Sequence, residues 1–128
     1  MRSLQTLLLV GVVAMAGLTS AFAKAPAGLA MRVSKPFAGA KVNGGTVTET
    51  KNGGTITLTL SDEVVDPKTP DPHWLVIDGK GTTYLLDKLT VKGDRFNKSI
   101  KLPSYIKDVA KVQIYCAWAE ANLGEASF

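Results

Sequence analysis

Glycine, proline and asparagine interrupt this chain so often after residue 35 that no helix of useful length fits between them. The segments that remain alternate apolar and polar residues. In the clearest one, Thr55–Leu60, the residues Ile56, Leu58 and Leu60 share one face, because side chains alternate between the two faces of a strand. Asn52-Gly53, just before it, supplies the positive φ that a tight hairpin turn requires. The pattern predicts an antiparallel hairpin with one buried and one solvent-exposed face.

A second alternating segment, Lys111–Trp118, contains the chain's only cysteine. Its apolar side chains share one face and predict a late, half-buried strand: Val112, Ile114, Cys116 and Trp118. We expect Trp118 to lie in the core, together with Trp74 of the predicted strand His73–Ile77.

The predicted strands are short, about six to eight in number, and turn signals separate them at roughly 8–12-residue intervals. This spacing is typical of an all-β, immunoglobulin-like antiparallel β-sandwich, with a small barrel as the alternative. We therefore predict one β-sandwich domain over residues 24–128.

The first 23 residues have the form of a secretory signal peptide. Arg2 carries the positive charge, Leu7–Leu18 is the short apolar run, and Ala21-Phe22-Ala23 is the cleavage site. The apolar run is shorter than the roughly 20 residues of a membrane span. The sequence predicts a protein with no membrane span that is exported to the periplasm or secreted.

The charge distribution offers two interpretations. The net charge is +4, and most basic residues of the second half lie between Lys80 and Lys111. They form either a basic face for an acidic partner or a set of solvated strand edges. Export and the lack of a basic motif with interleaved aromatic residues argue against a nucleic-acid partner. The loop Ser61–Pro72 is acidic, but its carboxylates do not have calcium-loop spacing, so it is interpreted as a surface loop.

The residue types needed for catalysis are scarce. His73 is the only histidine and Cys116 the only cysteine. No serine motif indicates a hydrolytic triad, and the ligand sets of structural zinc, blue copper and c-type haem are incomplete. We predict no catalytic residue, and a non-enzyme in preference to an enzyme.

Two interpretations of His73 and Cys116 stay open. They are either a strand-edge histidine and a core cysteine, or two ligands of a metal site that carboxylates, water or a second chain would complete. Iron or copper would suit such a site, and nothing in the sequence requires either.

The chain resembles the iron-binding domain of the desulfoferrodoxin or superoxide reductase family. The residues concerned are Asp71–Ile77, like that family's histidine-containing strand after a proline-rich loop, and Ile114–Glu120, where its Cys-Asn-x-His-Gly motif would fall. The resemblance implies an immunoglobulin-like sandwich and carries over only His73 and Cys116 of an iron site with four imidazoles and one thiolate. Ala119 and Glu120 stand where the motif has histidine and glycine. It implies a degenerate member that has lost its iron.

Together these observations predict an exported, non-enzymatic binding or accessory module with a protein or small-ligand partner. The alternative is a periplasmic redox or metal-binding protein of superoxide reductase-like type that uses His73 and Cys116. A third reading is a subunit of a larger assembly, in which another chain covers the thiol or a free strand edge.

Overall fold

The computed structural model describes residues 29–91 and 95–128, and the predicted signal peptide over 1–23 lies outside these residues. The described residues form two four-stranded antiparallel sheets and one two-stranded ribbon, and contain no helix. No helix within these ranges is therefore long and apolar enough to cross a membrane.

Ten strands make up the fold. They are β1 (Leu29–Val33), β2 (Val47–Asn52), β3 (Thr55–Leu60), β4 (Pro72–Ile77), β5 (Thr83–Lys88), β6 (Thr90–Val91), β7 (Arg95–Phe96), β8 (Ser99–Lys101), β9 (Lys111–Cys116) and β10 (Ala121–Ser127). Sheet A has the order β1-β2-β3-β8, sheet B the order β10-β9-β4-β5, and β6 pairs with β7. The prediction of an all-β antiparallel sandwich is confirmed. The β2-β3-β8 and β10-β9-β4 groupings follow the immunoglobulin-like arrangement.

The hairpin predicted around Asn52-Gly53 is present. β2 and β3 pair in continuous register from Val47↔Leu60 to Asn52↔Thr55, and Gly53 has φ 64°. Ile56, Leu58 and Leu60 are buried, so the alternation of this strand identifies its core face. Their burial against sheet B supplies the main stabilisation of this hairpin, since an isolated two-stranded hairpin is marginal in water.

The alternating residues of Arg95–Leu102 predict a single strand, but the structure divides this segment into β7 and β8. The division occurs at Asn97 and Lys98, whose backbone groups bond outside both strands. Asn97 donates to the carbonyl of Leu89 and accepts from the Trp74 indole, and the Lys98 carbonyl accepts from Leu60. These hydrogen bonds hold the chain where it crosses from the β6–β7 ribbon to sheet A. The alternation of apolar and polar residues could not reveal this crossing.

The two sheets differ at the edges formed by β1 and β10. The segment 35–42 runs along β10, where Ala38 and Glu125 exchange backbone hydrogen bonds and Val42 donates to Leu123. Gly39 and Gly124 allow this approach, because a Cβ on Gly39 would lie 2.4 Å from the Cα of Gly124. β1, in contrast, pairs with β2 and with no other described strand. Sheet B is thus covered at β10, and sheet A is open at β1.

Candidate functional site

The two predicted ligand residues lie on neighbouring strands of sheet B but on opposite faces. In the β4–β9 register, Pro72 pairs with Cys116 and His73 pairs with Tyr115. Residues directly opposite each other in a sheet share a face. Cys116 is buried in the core at 1% exposure, whereas His73 is half-buried on the outer face. The register therefore brings the two strands together and directs the two side chains apart.

Both ring nitrogens of His73 are already engaged. Nδ1 lies 2.8 Å from the carbonyl oxygen of Leu86, and Nε2 lies 3.1 Å from Oδ1 of Asp71. Both partners are acceptors, so the two hydrogen bonds form together only when the imidazole carries both protons. In this arrangement neither nitrogen has a lone pair free for a metal.

Asp71 is shared between His73 and Lys88, whose Nζ lies 3.3 Å from the same carboxylate oxygen. Partial burial raises the pKa of the Asp71 carboxyl, but the hydrogen bond from Lys88 and the charge of His73 outweigh it, and the pKa lies below its ordinary value. The three residues form a solvent-facing charged cluster at the end of sheet B.

The pKa of the Cys116 thiol lies below its ordinary value. The N–H of Ala119 has the largest effect and lowers the pKa of the thiol; burial opposes it, and the N–H groups of Asp71 and Trp118 lower the pKa further. The buried hydroxyl of Thr69 adds the smallest contribution and makes no hydrogen bond of ordinary geometry with any described residue. The thiolate is thereby favoured relative to an ordinary thiol.

Trp118 was predicted to be a core residue, and this prediction is wrong. The indole is 76% exposed, whereas Trp74 is completely buried. β9 ends at Cys116, and residues 117–120 form a turn in which Glu120 has φ 54°. The two-residue period stops with the strand, so the position two residues after Cys116 no longer points into the core.

We call Thr69, Asp71, His73, Lys88, Cys116 and Trp118 the sheet B tip.

The described residues contain no group of three or more histidine, cysteine, aspartate and glutamate side chains placed to hold a metal ion. The metal site of His73 and Cys116 stays a prediction. For the site to form, His73 would have to give up one of its two hydrogen bonds, and further metal ligands would be required.

The basic residues of the second half do not all remain free for a partner. Lys88, Lys98 and Lys111 form ion pairs with Asp71, Asp62 and Glu125 respectively. Lys92 lies outside the described residues. The acidic and basic segments of the sequence therefore compensate each other in part, which the linear charge count could not show.

A groove of about 570 Å³ lies at the opposite end of β9 from Cys116, roughly 20 Å away. Its walls are consecutive residues of β1, two residues of β2, the residues just before β9, and the residue that follows β10. The lining residues are Ala30, Met31, Arg32, Glu49, Lys51, Asp108, Val109, Ala110 and Phe128. We call this space the Arg32 groove, and its volume is in the usual range for small-ligand sites.

Arg32 is held from several sides. Its Nε lies 2.7 Å and its Nη2 3.3 Å from the two carboxylate oxygens of Glu49, and Nη2 also donates to the carbonyl of Val109. The guanidinium carbon lies 4.3 Å from the centre of the Phe128 ring, within cation–π distance. Hydrogen bonding to Glu49 raises the pKa of Arg32, although burial opposes it.

Glu49 is the unusual member of this pair, because it is a carboxylate at 2% exposure on the core face of β2. Sequence reasoning missed it, although the signal was present: Glu49 is two residues from Val47 and therefore belongs to the buried face of the same strand. An acid on a core face requires a partner, and the register places Arg32 directly opposite.

The fold and its two sites define a β-sandwich with a charged, thiol-containing tip and a ligand-sized groove. No family model, curated protein or solved structure matched the chain.

Proposed function

We propose that this protein is an exported, non-enzymatic binding module that takes a ligand in the Arg32 groove. The observation that carries the proposal is an arginine fixed by Glu49, Val109 and Phe128 at the wall of a ligand-sized space. A buried ion pair contributes little to net stability, since its Coulomb energy is offset by desolvation. A rigidly positioned guanidinium is, however, well suited to recognition, because binding does not have to order its side chain.

The test is to titrate ¹⁵N-labelled protein with a library of small metabolites and short peptides while recording amide resonances. Binding in the groove should shift the amides of Ala30, Val109 and Ala110, and leave those of Ala117 and Trp118 at the other end of β9 unchanged. Saturable shifts confined to the sheet B tip would place the ligand there instead and contradict the proposal.

The sheet B tip supports a second candidate function, the periplasmic redox or metal-binding role that the desulfoferrodoxin resemblance implies. The lowered pKa of the Cys116 thiol, to which hydrogen bonding by the backbone of Ala119 contributes most, favours it, because the thiolate is the form that binds metals and reacts with oxidants. His73 would have to exchange its bond to Asp71 or Leu86 for a metal. The end of β4 would also have to rearrange, because His73 and Cys116 lie on opposite faces of sheet B.

Elemental analysis of protein isolated from its native compartment, with titration of the folded protein by a thiol reagent, decides this second candidate. Stoichiometric iron or copper that disappears in Cys116→Ser and in His73→Ala would support it. A metal-free protein whose thiol reacts only after denaturation would make Cys116 a core residue.

A further inference from the structure

The geometry points to a monoanionic ligand in the Arg32 groove, a carboxylate attached to an apolar body, bound by Nη1 of Arg32 and Nζ of Lys51. This inference rests on the proposed function and specifies the chemistry of the same groove.

Arg32 retains unused donors. Nε and Nη2 bond to Glu49 and to the Val109 carbonyl, whereas Nη1 has no hydrogen-bond acceptor among the described residues. Both N–H groups of Nη1 are therefore available to an acceptor in the groove. The Glu49 bonds fix the plane of the guanidinium, so the direction of these donors is fixed as well.

Lys51 supplies a second cation. It lies two residues after Glu49 on β2, so its side chain leaves the same face, and its register partner is Ala30 of the groove wall. Lys51 forms no ion pair within the described ranges. Arg32 and Lys51 together favour a negatively charged group between them.

The rest of the groove limits the size of that charge. Asp108 stands on the wall with its Oδ2 accepting the Gly79 N–H at 2.7 Å, and Glu49 already offsets Arg32. A second negative charge on the ligand would approach Asp108 without a free cation to balance it. A monoanion therefore fits better than a phosphate dianion or a dicarboxylate.

Apolar side chains form the remaining walls. Met31, Val109 and Phe128 line the groove beside the charged residues. Val109 is 1% exposed, so the accessible apolar surface belongs mainly to Phe128 and Met31. A ligand with an aromatic or branched aliphatic body would remove that surface from water while its carboxylate meets the cations. Free organic acids and the C-terminal carboxylate of a peptide share this chemistry.

The experiment compares matched carboxylates and neutral amides by amide-resonance titration. Phenylacetate and phenylacetamide represent a free acid and its neutral analogue, and N-acetylphenylalanine and its amide represent a peptide terminus. We expect each carboxylate to shift the amides of Ala30, Lys51 and Val109 at lower concentration than its amide. The stronger of the two carboxylates identifies the source.

Two variants complete the test. Lys51→Gln should weaken carboxylate binding about threefold, the effect of losing one partly exposed charge contact. Lys101→Gln removes an exposed lysine of β8 on the same sheet and should leave binding unchanged. Lys51 is at the surface, so its replacement leaves the core intact.

The outcomes separate the two proposals. If amides and carboxylates shift the groove amides equally, or Lys51→Gln binds as the parent does, the inference of an anion is overturned while the groove remains a ligand site. If no probe and no library member perturbs the groove, both the inference and the proposed function are overturned.

Discussion

The Arg32 groove and the sheet B tip both combine acids with bases, but they place the acid in different surroundings. Glu49 is 3% exposed at its side chain and meets one arginine through both oxygens, whereas Asp71 is 30% exposed and shares one oxygen between His73 and Lys88. Buried charges depend strongly on their partner, while exposed pairs exchange partners with water at little cost. The comparison indicates that Glu49 depends on its one partner, whereas Asp71 can exchange its partners with water.

Among the charged residues of the two sites, removing the partner of the buried acid should have the largest effect. Arg32→Ala leaves Glu49 buried without a cation, and we expect a loss of about 2 kcal/mol in the free energy of unfolding, roughly half the value for a fully buried pair because Arg32 is partly exposed. Urea denaturation measures it. The double variant Arg32→Leu with Glu49→Leu should recover most of the loss, and a double variant as unstable as Arg32→Ala would contradict this interpretation.

A smaller, pH-dependent effect on stability is expected at the sheet B tip. Asp71→Asn removes the shared carboxylate and should lower the thermal midpoint less than Arg32→Ala does. The folded-state pKa of Asp71 lies below its unfolded value, so its stabilisation is complete above the unfolded pKa and is lost as pH falls through the folded pKa. The difference between parent and variant should therefore shrink between about pH 7 and about pH 2.5. A difference that is the same at both pH values would show that the cluster adds no charge-dependent stability.

A variant beside Cys116 should change the pKa of the thiol while hardly changing the stability of the protein. Thr69→Val removes the smallest of the contributions that lower the pKa of Cys116, so the pKa should rise only slightly. The absorbance of the thiolate followed against pH measures it, with Cys116→Ser as the blank. Thr59→Val, on the exposed face of β3, is the matched control and should leave the titration where it is.

The smallest stability effect is expected at Trp118. Because the indole is exposed, Trp118→Ala should change the free energy of unfolding by no more than about 0.5 kcal/mol. Trp74→Ala, at the buried tryptophan, should cost about 3–5 kcal/mol. Denaturation curves of the two variants compare these free energies. A similar loss for both variants would show that Trp118 is buried in the core.

The alternation of short strands was sufficient to predict the sandwich and the hairpin at Asn52-Gly53, because a period of two specifies both the element and its buried face. It failed at Trp118, since the pattern gives no sign of where a strand ends. His73 and Cys116 became candidates as the only histidine and the only cysteine of the chain, and nothing in the sequence revealed that the β4–β9 register turns them to opposite faces. The Arg32–Glu49 pair depends on the β1–β2 register, which a single sequence does not contain.

The contact between Gly39 and Gly124 has a consequence for the order of folding. It joins a segment near the start of the described chain to one near its end, so its closure must wait until chain segments far apart in sequence have met. Contacts of this kind form after the rate-limiting step when the nucleus lies elsewhere. Replacing Gly39 by alanine would then accelerate unfolding and leave the folding rate nearly unchanged. The covered edge of sheet B would then lengthen the lifetime of the folded state by slowing unfolding, without changing the rate at which the protein folds.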